Sequence, residues 1–221
     1  MHSSPSNRWP FVVLLGTIWG ISECFLGIYL RQCASSISGS IMTGLAFFFL
    51  AIAFSYNRSR LTILLMVVLA SLFKLVDALL LSLPIQHGAV ANPLFAFLME
   101  GLAFWIIITF FSQSWQQNFG SQLMSGAFMA LAAVNLFPLV KYVTGISACV
   151  VPGTNYPLSL YYAHLAISLS ALTFPAGLFL GRNLLILEEK GGLIYSNPWI
   201  KRALAPFSFL AGIGILIIFR A

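Results

Sequence analysis

The chain has 221 residues, of which 60% are hydrophobic and only 7% charged, and its formal net charge is +6. Soluble domains carry about 25% charged residues, so a water-facing surface cannot be built from this composition and lipid must be the solvent for much of the chain. The excess of Lys and Arg over Asp and Glu forms no basic face suited to nucleic acid; it is the balance expected of basic cytoplasmic loops.

A crossing helix needs roughly 20 mostly apolar residues. In chain order the candidates are 10–30, 35–56, 61–83, 93–112, 121–143, 158–181 and 203–219. They predict an all-α polytopic transmembrane helix bundle of six to seven spans, organised as a single transmembrane domain over 1–221. The first span is too long for a signal peptide, contains Glu23 and lacks a small-residue cleavage site, so it reads as a retained helix. Its Gly16, Gly20, Glu23 and Gly27 share one helical face, and small residues let helices approach closely.

The third span, LTILLMVVLASLFKLVDALLLSL, is apolar except for Lys74 and Asp77 near its far end. An ionised group at the bilayer centre costs at least ~2.5–3.5 kcal/mol on insertion scales. Residues three apart lie on one helix face, so each of the two makes the other tolerable. The fourth span carries Glu100. The fifth carries Asn135 and Pro138, with Lys141 near its end. The sixth carries Pro175 and a stripe of Tyr161, His164, Ser168 and Ala171. Proline in a spanning helix can kink it and leave carbonyls to line a cavity. The connection 182–202, RNLLILEEKGGLIYSNPWIKR, reads either as a helix lying in the interface or as a continuation of the sixth helix. The seventh span is the shortest, which is why the count is six to seven.

Loop charge orients the bundle. Arg8, Arg58, Arg60, Arg182, Lys190, Lys201 and Arg202 fall on one side; Arg31, Lys141 and Arg220 fall on the other. The bias places the N-terminus in the cytoplasm and the protein in the plasma (inner) membrane. Glu23, Lys74, Asp77, Glu100, Asn135, Lys141 and His164 then share the outer half of the membrane. The segments 85–93 and 146–157 are uncharged, rich in Gly, Pro and Asn, and read as caps over that half. A polar pocket opening outward is expected, with Glu23, Lys74, Asp77, Glu100, Asn135 and His164 as its ligand-binding residues.

Each of these residues also has a plainer reading. Lys74 and Asp77 can be a structural ion pair that fixes helix register. Glu23 and Glu100 can be interhelical hydrogen-bonding groups, Lys141 a snorkelling end residue, and His164 a satisfied interior histidine. His2, His87 and His164 do not have the spacing of a metal site, and no haem, other cofactor or metal is expected. Cys33 and Cys149 both fall on the outer side and can bridge if that compartment is oxidising; Cys24 reads as a small buried apolar residue. No Gly-x-Ser-x-Gly, His-Glu-x-x-His or phosphate loop is present, so no catalytic residue is assigned and the reading leans against an enzyme. An acid–base role for Asp77, Glu100 or His164 on a lipid or quinone has no motif behind it.

The plan resembles the substrate-binding S components of energy-coupling factor transporters. The resemblance rests on topology, on the small residues Gly16, Gly20 and Gly27 of the first helix, and on the capping segments 85–93 and 146–157. It implies a bundle with an outward pocket roofed by loops, and a first helix whose small residues dock on a transmembrane coupling subunit. The chain begins MHSSPSN and lacks the Met-His-Ile-Pro-Asp-Gly pattern of the cobalt and nickel S components, so no metal role passes to His2. The expected partners are therefore the lipid bilayer, other membrane subunits and a small polar solute, and not nucleic acid. Any use of ATP has to come from another chain. The competing expectation is a structural or assembly subunit of a larger membrane complex, its buried charges fixing helix packing.

Overall fold

In lipid a backbone must satisfy its own hydrogen bonds, so long apolar runs coil into helices. A computed structural model of the protein describes residues 8–31, 37–110, 118–146, 149–151, 153–190 and 198–220. In chain order the helices are α1 (Trp9–Arg31), α2 (Ile37–Asn57), α3 (Leu61–Leu80), α4 (Gly88–Phe110), α5 (Phe119–Leu136), a 3-10 turn (Phe137–Leu139), α6 (Val140–Thr144), α7 (Leu158–Tyr161), α8 (Ala163–Glu189) and α9 (Pro198–Arg220). Among the described residues the nearest thing to a strand is an isolated bridge between Val150 and Pro157. Seven stretches are long and apolar enough to cross a membrane: α1, α2, α3, α4, the run Phe119–Thr144, α8 and α9. The chain is an all-α polytopic integral membrane protein.

Several element limits depart from the sequence expectation. Helix α4 starts at Gly88 rather than at 93 and holds Pro93 inside it. Pro138 turns the fifth span into a 3-10 segment rather than a simple kink, because its ring cannot continue the α-helical ladder. The sixth span divides at Tyr162 into α7 and α8, and α8 runs unbroken through Pro175 to Glu189. The apolar residues after 181 therefore continue that helix as far as Glu189; residues 191–197, where the interfacial reading would extend, lie outside the described residues. Helix α9 begins at Pro198, ahead of the expected 203.

Packing is closest where small residues meet backbone. A Cβ on Gly177 of α8 would sit 2.5 Å from the Phe48 carbonyl oxygen of α2, and one on Gly181 would strike Ser55 Oγ and the Ile52 carbonyl. Thr173 Oγ1 donates to the Gly44 carbonyl at 2.7 Å on the same seam. Such contact supplies the van der Waals attraction that holds helices together when lipid removes the hydrophobic drive between them. Phe104 bridges this seam to α4, with its ring centroid 5.8 Å from that of Phe54 and 5.9 Å from that of Phe174.

Helix α1 lies on α3. Gly16 and Gly20 are covered by Leu69 and Phe73, so this face is filled within the chain rather than left open for another subunit. Helix α9 runs along the same pair: Gly212 meets Thr17 and Phe73, and Phe219 stacks edge-on against Phe25 at 4.1 Å. At the end where α1 begins, Tyr56 Oη donates to Glu188 Oε2 at 2.7 Å, and Arg8 Nη1 donates to the Tyr56 carbonyl at 3.3 Å. That cluster ties the start of α1 to the ends of α2 and α8.

Candidate functional site

The charges buried in α3 are satisfied locally and at a distance. Lys74 Nζ donates to Asp77 Oδ2 at 3.0 Å, as the three-residue spacing predicts. On the other carboxylate oxygen, Oδ1, Arg220 Nε donates at 2.7 Å and the same guanidinium adds a second contact through Nη2. Asp77, only 1% exposed, therefore holds two cations and pins the end of α9 to α3. The sequence placed Arg220 on the same side as Asp77 but gave no pairing between residues 143 positions apart.

Beside this ion cluster is a cavity of about 550 Å³ at the end of the bundle where α1 finishes. Glu23 and Gly27 of α1, Ser40 and Thr43 of α2, Lys74 of α3, and Asn92 and Glu100 of α4 supply its polar wall. The rest of the lining is largely apolar, with Phe97, Ala133, Val134, Phe137 and Ala166. Gly88 and Ala89 line it from one expected capping segment, and Cys149 and Val150 from the other. This volume falls in the range of small-molecule sites, which pair apolar walls with a few placed polar groups.

Glu23 and Glu100 are both inside the bundle, 3% and 4% exposed. Trp19 Nε1 donates to Glu23 Oε1 at 3.1 Å. The second oxygen, Oε2, is buried with no hydrogen-bond partner among the described residues, and Asn92 Oδ1 is in the same condition. The Thr43 side chain lies close to the Glu100 carboxyl. Neither glutamate forms an ion pair among the described residues. Lys74 acts on Glu23 through space, while its ammonium is engaged by Asp77.

Of the six residues expected at the pocket, Glu23, Lys74 and Glu100 line one cavity and Asp77 stands behind Lys74. Asn135 and His164 are elsewhere: neither lines the cavity, and both are exposed on the outside of the bundle. Asn135 Nδ2 donates to the Leu131 carbonyl of its own helix at 2.7 Å, which satisfies the amide without an interior position. The stripe Tyr161, His164, Ser168 faces outward because the opposite face of α8, through Ala166, Ser170, Gly177 and Gly181, is the one that packs. Lys141 is exposed as well.

Trp19, Ser40, Thr43 and Asn92 were not singled out from sequence. Trp19 was within reach, since it lies one turn before Glu23. The others come from two separate elements and have no local signature. Cys24 is buried, its Sγ 3.6 Å from the Phe73 carbonyl. Cys149 is an exposed free thiol, and Cys33, its expected partner, lies outside the described residues. No group of three or more metal-ligating side chains gathers among the described residues.

The arrangement can receive hydrogen bonds from a bound molecule at two carboxyls and an amide, and enclose an apolar body against the rest of the lining. Compared with known protein families, with curated proteins and with solved structures, the chain matches none.

Proposed function

We propose that this integral membrane protein binds a small polar solute in the cavity between α1, α2, α3 and α4, entering from the non-cytoplasmic side past the segments at 88–93 and 149–158. We propose further that it serves as the substrate-binding subunit of a multi-subunit transporter, like the S components it resembles in plan, but with its partners docking on a face other than the Gly16 and Gly20 face of α1, which packs on α3. Coupling energy then comes from partner chains. The observation that carries this reading is the cavity itself: a largely apolar chamber of about 550 Å³ with Glu23, Lys74 and Glu100 in its lining. A half-open chamber of that size, bordered by buried polar groups, is large enough for a small molecule.

A specific observation also favours the second reading, a structural subunit. Asp77, Lys74 and Arg220 satisfy one another and join α9 to α3, and this half of the buried charge needs no solute. One preparation separates the two. The full chain is purified from its native membrane in mild detergent, and bound small molecules and companion subunits are identified by mass spectrometry. A solute held near one per chain, and lost when Ala96→Trp fills the cavity, is the expected result. Companion subunits with no solute in either form would replace the transport reading with the structural one.

A further inference from the structure

Resting on the solute-site reading, we propose that the cavity selects a singly charged organic cation: an amine or related ammonium group on an apolar body. Glu23 is the strongest indication. It is almost wholly buried, it lines the cavity, and one of its oxygens has no donor among the described residues. A buried acceptor left unmade carries its full desolvation cost. Asn92 Oδ1 is a second open acceptor in the same lining. An amide can turn to present either end and a buried carboxyl can hold a proton; a cationic ligand takes the place of that proton and donates to the open Glu23 oxygen.

The charge balance agrees. Among the described residues, the three acidic groups Glu23, Asp77 and Glu100 face the two positive groups Lys74 and Arg220. Both cations contact Asp77, so neither glutamate on the cavity lining has an ion-pair partner among the described residues. A ligand with one positive charge can displace a carboxyl proton there and supply that partner. An anionic ligand would have to draw Lys74 away from Asp77 and would face two carboxyls. The aromatic groups on the lining, Phe97, Phe137 and Tyr162, suit both an apolar body and a cation against a ring face.

The test uses the full chain in phosphatidylcholine nanodiscs and three probes that share one apolar body: 4-phenylbutylamine, 4-phenylbutanol and 4-phenylbutyrate. Heats of binding are taken against empty nanodiscs to remove partitioning into lipid. The amine is expected to bind about tenfold or more tighter than the alcohol, a difference typical of one charge-assisted hydrogen bond, with the acid weakest. Glu23→Gln and Glu100→Gln each lower amine affinity about tenfold and narrow the gap between amine and alcohol. The wild-type probe series stands even if a variant fails to fold.

Equal affinity for the three probes overturns the cation class and leaves the solute site intact. Tightest binding of the acid overturns it too, and transfers recognition to Lys74. No binding of any probe, with a solute still found on the purified chain, again removes only the class. No probe binding and no retained solute removes both proposals.

Discussion

At the end of the bundle where α1 begins, Arg8, Tyr56 and Glu188 close on one another, and Gly177 and Gly181 let α8 touch the backbone of α2. At the other end α1, α2, α3 and α4 border a chamber. There, one carboxyl, Asp77, holds two cations while another, Glu23, has an oxygen with no donor among the described residues. The contrast separates two uses of buried polarity. At the first end the charged groups meet one another and fasten helices. At the second, the open Glu23 oxygen beside the cavity is where the proposed solute would donate.

The largest effect should come from breaking the fastening. Asp77→Asn leaves Lys74, 5% exposed, without its counterion and releases Arg220. Breaking a buried pair from one side costs about 3–5 kcal/mol, so unfolding in detergent should shift by that amount. A shift below about 1 kcal/mol, the range of surface pairs, would show that water already screens the cluster.

Gly181→Ala tests the packed end. The added Cβ meets Ser55 Oγ and the Ile52 carbonyl, and overpacking of this kind costs about 1–3 kcal/mol. The loss should be read by unfolding and should leave probe affinity in the chamber unchanged. Reduced affinity without reduced stability would mean that the two ends are mechanically coupled.

The smallest stability effect belongs to Glu23→Gln. The amide keeps an acceptor for Trp19 Nε1 and removes a buried acid that has no ion-pair partner among the described residues, so the fold should lose no stability. Ligand affinity is what should fall. If Glu23→Gln destabilises the fold as much as Asp77→Asn, Glu23 belongs with the fastening groups and the contrast between the ends fails.

Much of the fold was legible because it depends on local composition. Apolar runs of spanning length marked every long helix, and the Lys74–Asp77 pair followed from a three-residue spacing. The site was legible in part. Glu23, Lys74 and Glu100 could be named because a buried charge in a greasy span is conspicuous. Asn135 and His164 were misplaced because depth along a helix says nothing of azimuth. Asn135 satisfies its amide on its own helix, and the small residues of α8 turn His164 away from the interior. Small-residue spacing along Gly177 and Gly181 was the signal that could have chosen the face.

By itself the sequence determined that the chain crosses a membrane, which segments become helices, and which charges must be hidden, since hydropathy and the cost of burying charge act residue by residue. Only the tertiary structure decided which hidden charges meet. Arg220 reaches Asp77 because α9 packs on α3, and Glu23 comes to one chamber with Glu100 because α1 and α4 both border it. These outcomes depend on how side chains of distant segments fit together, and that fit is a property of the packed bundle rather than of any one span.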